Sequence, residues 1–425
     1  MRPWRGAEGR ARARTLLTIP ATVGTVAVMT VAFAPPAPAA TSASNLPAAA
    51  GLSAYEHSGT GSTLTEADGT YVQHVLDGRV VWFFSDSFLG VVNAGGGRGP
   101  SGMLHNQIVV QDSPTASSAA NFHNVWLNGT GATDFSASGC TAEWPAATIQ
   151  STLNQIQVAL RCADSNGNVV RLDLATVTFN SGVTNWAAGI DTAHFNAAAR
   201  VPNASCPAGS TSAADIDFGQ SVMQVYGGGT YIYGVQNCKV SGIPVGVPYL
   251  AKVPGNDISN TTSGDAWSYW AGKAASGNDI WSSSPASAKP MQSGGSYIPH
   301  AGSEYSAVYD PGRGVYRMIT TDTGLSPNII EYTATDPAGP WTYDGVIDNT
   351  QTDGVWGSRP VNDPNTSCTL DTYGAKEQPT FETNDSIVFT YNVNVTGAPS
   401  TCTSTAIFNA YADNLANYNP RFMYG

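Results

Sequence analysis

The sequence predicts an all-β fold and, within that class, a five-bladed β-propeller. Runs of four to eight apolar or aromatic residues recur along the chain, broken by Gly, Asn, Asp and Pro, as is typical of short strands. Helical periodicity is not convincing in any window, and charged residues make up only 12% of the chain, which argues against long exposed helices. The runs form groups of about 60–75 residues, which would divide roughly 375 residues into about five small antiparallel sheets. A β-sandwich repeat or a jelly roll is the structural alternative.

The N-terminal residues predict an export signal. Five Arg residues form a positive region, the apolar stretch Leu16–Phe33 follows, and Ala37-Pro38-Ala39 offers a small-residue cleavage site. We therefore assign the three parts of the chain as a signal peptide over 1–39, a flexible linker over 40–52, and the propeller over 53–425.

An uncleaved membrane anchor is the alternative interpretation of this N-terminus. Pro20 and Gly24 interrupt the apolar stretch, whose length is marginal for a membrane span, so cleavage is favoured. We expect an extracellular, monomeric protein with no membrane span after cleavage. The formal net charge of −12 also disfavours nucleic acid as a partner, because an acidic surface repels phosphate groups.

The cysteines predict a disulfide framework, because their number is even and all six follow the signal segment. Six cysteines allow 15 pairings, of which we favour the pairing of consecutive residues. The sequence has no C-x-x-C motif or Cys/His cluster, so we expect no metal site. The cysteines are Cys140, Cys162, Cys206, Cys238, Cys368 and Cys402.

The strand-length runs can be placed along the chain in order. Asp77-Gly78, between two apolar runs, is a strong signal for a two-residue hairpin turn. Clear examples of the runs are Arg79–Phe84, Gln107–Gln111, Gln155–Leu160, Val169–Leu174, Thr230–Val235, Tyr305–Tyr309, Val315–Thr320, Asn328–Thr333 and Ser386–Tyr391.

The predicted hairpin brings two acidic residues together. Asp68 and Asp86 lie at equal distances on either side of Asp77, so both fall at the same end of the hairpin. Asp86 interrupts an aromatic run, where an unpaired charge is costly. Two carboxyl groups at one strand end predict an acid/base or nucleophile/acid pair. The alternative is that Asp86 caps a turn and Asp68 begins an Asp-Gly turn.

At this point the sequence resembles a known family. Trp82-Phe-Phe-Ser-Asp-Ser-Phe-Leu-Gly90, followed by Met103-Leu-His-Asn106, is similar to the Trp-x-Phe-Gly-Asp-Thr-Phe-x-Gly … His-Asn-Ser signature of secreted actinobacterial proteins. That family, formerly domain of unknown function 4185, is now classed as endo-D-arabinanases. Weaker similarity lies in Tyr231-Ile-Tyr-Gly234, Glu304-Tyr-Ser306, Gly339-Pro-Trp341, Tyr391-Asn-Val-Asn394 and Asn419-Pro-Arg-Phe422.

The resemblance implies a five-bladed propeller that cleaves internal α-linkages of D-arabinofuranose polymers with retention at the anomeric carbon. The two first-blade carboxylates of the family fall on Asp68 and Asp86. Ser85, Ser87 and Gln107 depart from the family pattern, which implies a changed substrate preference rather than lost activity.

Furanoside hydrolysis assigns the two carboxyl groups different roles. One ionised carboxylate stabilises the oxocarbenium-like transition state, and one protonated carboxyl donates to the leaving oxygen. We assign Asp68 as nucleophile and Asp86 as acid/base, and the reverse assignment stays open.

Five further residues are candidates for substrate binding. Each has a structural alternative: core packing for the tryptophan, an ordinary turn for the His-Asn pair, and a strand-end cap for the last two. They are Trp82, His105, Asn106, Glu304 and Gln378.

The leading functional hypothesis is a secreted, endo-acting glycoside hydrolase of cell-wall arabinan (arabinogalactan or lipoarabinomannan). It needs no cofactor, because two carboxyl groups suffice for the reaction. The alternatives are a non-catalytic propeller that binds glycans or a cell surface, and a hydrolase of another furanoside or pyranoside.

Overall fold

A computed structural model describes residues 40–425 apart from short gaps. The predicted signal peptide, residues 1–39, lies outside the described residues. Side chains of 220–226 are also not described. The gaps are 60–62, 99–102, 128–134, 185, 211–212, 227–228, 299, 324–325, 363–367, 384–385 and 398–400.

The described chain is all-β, which confirms the predicted fold class. Antiparallel pairing joins most strands into five sheets, which we number 1 to 5 in chain order. Sheet 1 contains, in hydrogen-bonded order, Tyr71–His74, Val80–Phe84, Gln107–Gln111 and Phe122–Val125. Sheet 2 contains Ala142–Thr152, Gln155–Ala163, Val169–Thr178 and Ala187–Asp191.

Sheet 3 is the widest, with six strands, whereas the sheets on either side of it have four. Sheet 3 contains Arg200–Ser205, Ala213–Tyr226, Gly229–Val240, Ile243–Val253, Ser268–Lys273 and Asp279–Ser282. Sheet 4 contains Tyr305–Asp310, Val315–Thr321, Asn328–Ala334 and Thr342–Asn349. Sheet 5 contains Thr369–Glu377, Val388–Thr396, Arg421–Tyr424 and Thr41–Ser42.

Shorter elements lie between or beside these sheets. Two small sheets pair Thr63–Ala67 with Ser87–Gly90 and Met103–Leu104, and Gln292–Ser293 with Ser296–Tyr297. The α-helices are α1 (Pro47–His57), α2 (His194–Ala199) and α3 (Ser404–Asp413). Single 3₁₀ turns occupy Ala119–Asn121, Pro285–Ser287, Pro379–Phe381 and Leu415–Asn417. None of the helices in the described part of the chain has the length and apolar character that a membrane-spanning helix needs.

The core lies between the sheets, because each sheet is apolar on both faces. Five buried clusters contain residues from two sheets each: Phe83 and Leu160 from sheets 1 and 2, Leu174 and Ile232 from sheets 2 and 3, Tyr233 and Met318 from sheets 3 and 4, Ile329 and Val393 from sheets 4 and 5, and Val388 and Trp82 from sheets 5 and 1. Every sheet therefore packs against its neighbours in chain order, and sheet 5 packs against sheet 1. The number of five blades stays a prediction.

The segment predicted as a flexible linker belongs to the fold. Thr41–Ser42 pairs with the C-terminal strand Arg421–Tyr424, and α1 buries Ala48, Leu52 and Tyr55. Pro47 stands at the start of α1, where its missing N–H costs nothing, and the following alanines are strong helix formers. The linker prediction is therefore wrong: an Ala-rich segment with apolar residues on one helical face can pack as a helix.

The three predicted disulfides are confirmed. Consecutive cysteines pair, with sequence separations of 22, 32 and 34 residues. Cys368–Cys402 joins the start of sheet 5 to the segment just before α3, and so ties a helical connection to the sheet.

Candidate active site

The first hairpin places Asp68 and Asp86 directly opposite each other. A turn forms at the predicted place, but its loop has three residues, Leu76-Asp77-Gly78, instead of the predicted two. The N–H of Val75 donates to the carbonyl of Arg79 (3.0 Å), and Gly78 has a φ of 95°, where glycine is favoured. Tyr71 pairs with Phe83, and Ala67 with Ser87, so one continuous register runs past both aspartates.

Main-chain hydrogen bonds close this end of the hairpin. The N–H of Asp68 donates to the carbonyl of Asp86 (3.1 Å), and the N–H of Ser85 donates to the carbonyl of Asp68 (2.9 Å). Gly69, with φ of 59°, lies so close to Ser85 that a Cβ atom would stand 2.1 Å from its Oγ. The backbone is therefore tightly fixed beside both carboxyl groups.

Asp86 accepts hydrogen bonds on one of its two oxygens. Nε1 of Trp144 donates to Oδ1 (2.9 Å), and Nδ1 of His105 lies 2.9 Å from the same oxygen. The side chain is 22% exposed. Within the described residues no hydrogen bond engages Oδ2. One oxygen is therefore held in place, and the other is free of protein hydrogen bonds on a partly exposed side chain.

Asp68 lies in different surroundings. Its Oδ2 accepts a hydrogen bond from the hydroxyl of Tyr373, the hydroxyl of Tyr418 lies near enough to lower the pKa of the carboxyl group, and Oδ1 is buried without a hydrogen bond among the described residues. Burial, followed by the charge of Asp86, raises the pKa of Asp68 to about 7, although the two tyrosines act in the opposite direction. Near neutral pH, Asp68 therefore carries a proton for part of the time, and it is the group suited to proton transfer.

A buried charged cluster lies beside Asp68. Glu304 forms ion pairs with Lys376 and with Arg161 (3.0 Å for the latter), and accepts from the hydroxyl of Tyr71 (3.2 Å). Burial works to raise the pKa of Glu304, but these two cations outweigh it and hold the pKa well below its ordinary value. The cluster draws one residue from each of sheets 1, 2 and 5 around Glu304, which directly precedes sheet 4.

Glu304 is therefore fully engaged by protein groups, and its carboxylate raises the pKa of Asp68 through its charge. The structure places it behind Asp68 as a positioning and electrostatic group rather than as a free ligand for a sugar hydroxyl. Trp144, Tyr373, Tyr418, Lys376 and Arg161 were not among the residues predicted from the sequence. Their contacts span a hundred residues or more for the most part, and no local motif indicates them.

The predicted pair His105-Asn106 divides into two roles. His105 contacts Asp86, as described above. Asn106 is 0% exposed: its Nδ2 donates to the carbonyls of Phe135 (2.9 Å) and Glu143 (2.8 Å), and its Oδ1 accepts from the N–H of Phe135 (2.7 Å). The prediction that Asn106 binds substrate is therefore wrong. Asn106 instead fixes the strand on which Trp144 follows Glu143.

Trp82 does not lie where it could contact a substrate either. It is 0% exposed, its Nε1 donates to Oε1 of Gln111 (3.1 Å), and its ring stacks on that of Phe381 at 5.3 Å. Both faces of the strand Val80–Phe84 are buried, because this strand is central in sheet 1 and apolar clusters cover both sides. The aromatic run is core, and the prediction for Trp82 is wrong.

Gln378 lines a cavity that neither Asp68 nor Asp86 borders. Its Nε2 donates to Oγ1 of Thr390 (2.9 Å), and the residue is buried. It lines a cavity of about 190 Å³ together with Gln73 and Val308, and neither catalytic candidate is part of this lining. The structure does not bring Gln378 together with the aspartate pair.

One group of side chains in the described residues has the proximity that a metal site requires, namely Cys140, Cys162, Glu143 and Asp173. Both cysteines are joined in a disulfide and offer no thiolate ligand. Arg171 already binds Asp173 through both guanidinium contacts (2.6 and 2.7 Å). This group is better described as a salt-bridged support for the disulfide than as an ion site.

Comparison with known families gives one match. The model described as Domain of unknown function (DUF5005) matches residues 55–424. The resemblance drawn from the motifs pointed to a different family, domain of unknown function 4185, and that assignment is not confirmed. No curated protein matches the sequence at a significant level.

Solved structures show where the fold recurs. A protein from Bacteroides ovatus ATCC 8483, provisionally described as a hydrolase, has a TM-score of 0.60 at 17% identity, covering 85% of this chain and 86% of that one. A GH43_1 enzyme from Xanthomonas citri in complex with xylotriose gives 0.42 at 11% identity, covering 88% and 93%. A GH43 β-xylosidase/α-arabinofuranosidase from a compost metagenome gives 0.39 at 13%, covering 84% and 90%. The first likeness establishes a shared fold; the other two are too distant to carry an argument.

Proposed function

The chain belongs to the family described as Domain of unknown function (DUF5005), and from that premise we propose that it is an exported glycoside hydrolase on a five-bladed β-propeller. Support for the propeller comes from the five sheets and from the five apolar clusters that join them in cyclic order, sheet 5 to sheet 1 included. Support for export comes from the three disulfides, which are typical of oxidising compartments.

The observation that carries the proposed activity is the contrast between two facing aspartates. Asp86 is partly exposed, with one oxygen held by Trp144 and His105, whereas Asp68 has a pKa raised to about 7. Two neighbouring carboxyl groups in different surroundings, one of which carries a proton near neutral pH, fit the arrangement that glycoside hydrolysis requires. We assign Asp86 as nucleophile and Asp68 as acid/base, the reverse of the assignment preferred from sequence.

The proposed reaction proceeds with retention in two steps. Oδ2 of Asp86 forms a bond to the anomeric carbon while the glycosidic bond breaks and the leaving oxygen takes the proton of Asp68. Water then attacks the glycosyl-enzyme, losing a proton to the Asp68 carboxylate and releasing Asp86. The cations Arg161 and Lys376 balance Glu304, so that three acidic residues do not repel one another without compensation.

We propose internal α-D-arabinofuranosyl linkages of cell-wall arabinan as the substrate. The support is the motif resemblance around Asp86 and His105, together with an acidic chain, of net charge −12, suited to a neutral rather than an anionic polymer. Trp144, which borders Asp86, offers an aromatic surface next to the reacting carbon.

The test is hydrolysis of a polysaccharide panel by the purified exported protein. D-arabinan, L-arabinan and fructan are incubated with wild type, Asp68→Asn, Asp86→Asn and the control Asp112→Asn, and products are sized by mass spectrometry. Asp112 is a matched control because it forms an exposed pair with His123 (3.2 Å) in sheet 1, similar to the pair of Asp86 with His105.

We expect oligosaccharides of mixed length from D-arabinan with wild type and with Asp112→Asn, and none with either active-site variant. Cleavage of L-arabinan or fructan instead would assign a different furanoside to the same site. Binding of D-arabinan by all four proteins without any cleavage would establish a non-catalytic glycan-binding protein and overturn the proposal.

A further inference from the structure

A cavity lies beside Ala40, and neither aspartate of the candidate active site is part of its lining. It has a volume of about 700 Å³ and lies between α1, the strand Thr41–Ser42 and the C-terminal segment. Ala40, Asp353, Tyr391 and Arg421 are among its lining residues. Ala40 thus shares a cavity with charged side chains.

Ala40 is buried at this point. It is 9% exposed and packs in the apolar cluster that contains Ile347, and its N–H donates to the carbonyl of Ile347 (3.2 Å). A main-chain nitrogen is therefore fixed beside the last strand of sheet 4. It also directly follows the predicted cleavage motif Ala37-Pro38-Ala39.

The residue that follows Ile347 is a buried aspartate. Asp348 is 2% exposed; its Oδ1 accepts from the N–H of Asn349 (2.8 Å), while no hydrogen-bond donor among the described residues reaches its buried Oδ2. Asp353 lies next to it, close enough for each carboxyl to affect the protonation of the other. A buried acidic group with one unsatisfied oxygen therefore lies beside an exposed acidic group.

The nearby guanidinium does not neutralise this pair. Arg421 influences the same tyrosine as the two aspartates, Tyr391, but its Nη2 donates to the carbonyl of Ala416 (3.0 Å). Its Nε is buried without a hydrogen-bond partner in the described part of the chain. A buried carboxylate such as that of Asp348 is costly unless a cation with hydrogen-bond donors reaches it.

We propose that hydrolysis of the Ala39–Ala40 peptide bond during export creates an α-ammonium group at Ala40, which inserts beside the Asp348/Asp353 pair and locks the first strand onto the fold. A signal peptidase of the exporting cell supplies the catalyst and water is consumed. The carbonyl carbon of Ala39 takes the hydroxyl and becomes a carboxylate, and the nitrogen of Ala40 becomes protonated. The inference rests on the proposed export and not on the proposed hydrolase activity.

Cleavage adds hydrogen-bond donors and a positive charge at Ala40, next to an acidic group that lacks a donor. In the uncleaved chain the nitrogen of Ala40 has one hydrogen, which the carbonyl of Ile347 already accepts. The ammonium group keeps that bond and gains two further N–H donors and a positive charge. An ammonium at a residue that is 9% exposed needs an anionic partner, and the orphan Oδ2 belongs to the residue adjacent to the one that Ala40 already contacts.

The first test is N-terminal sequencing of the protein recovered from the culture medium, for which we expect Ala40 as the first residue. The second compares the Tm of this protein with that of a form carrying Gly-Ser before Ala40. We expect the extension to lower the Tm by about 2 °C or more, because the ammonium group moves away from the acidic pair.

A double-mutant cycle assigns the partner. The extension is expected to lower the Tm in wild type and in Asp344→Asn, an exposed position on the same strand, but not in Asp348→Asn or Asp353→Asn. Using two aspartate variants keeps the test decisive if one of them fails to fold. The proposal is overturned by a first residue other than Ala40, by equal losses of Tm in all four backgrounds, or by Ca²⁺ restoring the Tm of the extended form, since a cation would then occupy the pair.

Discussion

The N–H of Asp68 donates to the carbonyl of Asp86 at 3.1 Å, so the two aspartates face each other across the first hairpin. Their carboxyl groups nevertheless meet different partners. The carboxyl of Asp86 accepts from an indole and lies against an imidazole. That of Asp68 accepts from the hydroxyl of Tyr373, and its Oδ1 is buried without a hydrogen bond among the described residues. Burial raises the pKa of Asp68.

The proposed roles predict different rescue behaviour for the two asparagine variants. We expect each to lose at least about 100-fold to 10⁴-fold in kcat, the range that general acid–base and nucleophilic groups contribute. Azide should restore turnover of an aryl arabinofuranoside by Asp86→Asn with inversion, because it replaces the missing nucleophile. With Asp68→Asn, azide should give a retained glycosyl azide, because the glycosyl-enzyme still forms. The anomeric configuration of the azide, read by NMR, decides between the two roles, and the opposite pattern would restore the assignment made from sequence.

The raised pKa of Asp68 predicts the basic side of the pH–rate profile. The acid must be protonated to donate, so kcat/KM is expected to fall as the pH rises above about 7. The contribution of Asp68 to the free energy of unfolding should also fall as the pH rises. The folded state binds more protons than the unfolded state between the ordinary pKa of 3.8 and about 7, so the contribution of Asp68 to stability is lost as the pH rises through this window. Urea unfolding at several pH values should show a flatter dependence for Asp68→Asn than for wild type.

Removing the hydroxyl of Tyr373 should shift the basic limb of the pH–rate profile. Its hydrogen bond favours the ionised form of Asp68, so Tyr373→Phe is expected to raise the pKa of Asp68 further and extend activity to higher pH. A residue that merely packs against Asp68 would change kcat without moving the limb. Tyr332→Phe serves as a control, since Tyr332 is buried in another cluster. An unchanged limb in Tyr373→Phe would show that the hydroxyl does not tune Asp68.

The sequence predicted the features that depend on neighbouring residues. The sequence predicted the place of the turn at Asp77-Gly78, and the register centred on Asp77 brings Asp68 opposite Asp86. The loop itself has three residues instead of the predicted two. Each of the nine strand-length runs forms a strand, although several extend further than their apolar cores. The sequential disulfides follow from the same locality, since each joins elements close in the chain.

Features that depend on distant contacts were not predictable in the same way. Tyr373 reaches Asp68 across 305 residues, and no local pattern encodes that approach. Trp82 was misjudged because a central strand buried on both faces has the same aromatic composition as a sugar-binding surface. The segment over 40–52 was misjudged for the opposite reason, since its Ala-rich composition concealed an apolar helical face.

The disulfide Cys368–Cys402 should contribute substantially to stability. Its loop spans 34 residues, for which loss of loop-closure entropy predicts about 3–4 kcal/mol. Replacing both cysteines with alanine should lower the free energy of unfolding by about that amount in urea titrations. Because Tyr373 lies within the loop, kcat at low temperature reports whether the site is also disturbed. A double variant as stable as wild type would mean that the unfolded chain is already constrained there.

The neighbouring residues His105 and Asn106 should respond in opposite ways to truncation. Asn106→Ala leaves the N–H of Phe135 and the carbonyls of Phe135 and Glu143 buried without their side-chain partner, which costs about 1–3 kcal/mol for each group left unsatisfied. The Tm should therefore fall while kcat of the folded fraction changes little. His105→Ala removes a partly exposed contact to Asp86, so kcat should fall with little change in Tm. Thermal unfolding and active-site titration of both variants measure the two effects, and a large loss of kcat in Asn106→Ala with unchanged Tm would contradict the placement of Asn106 as a structural residue.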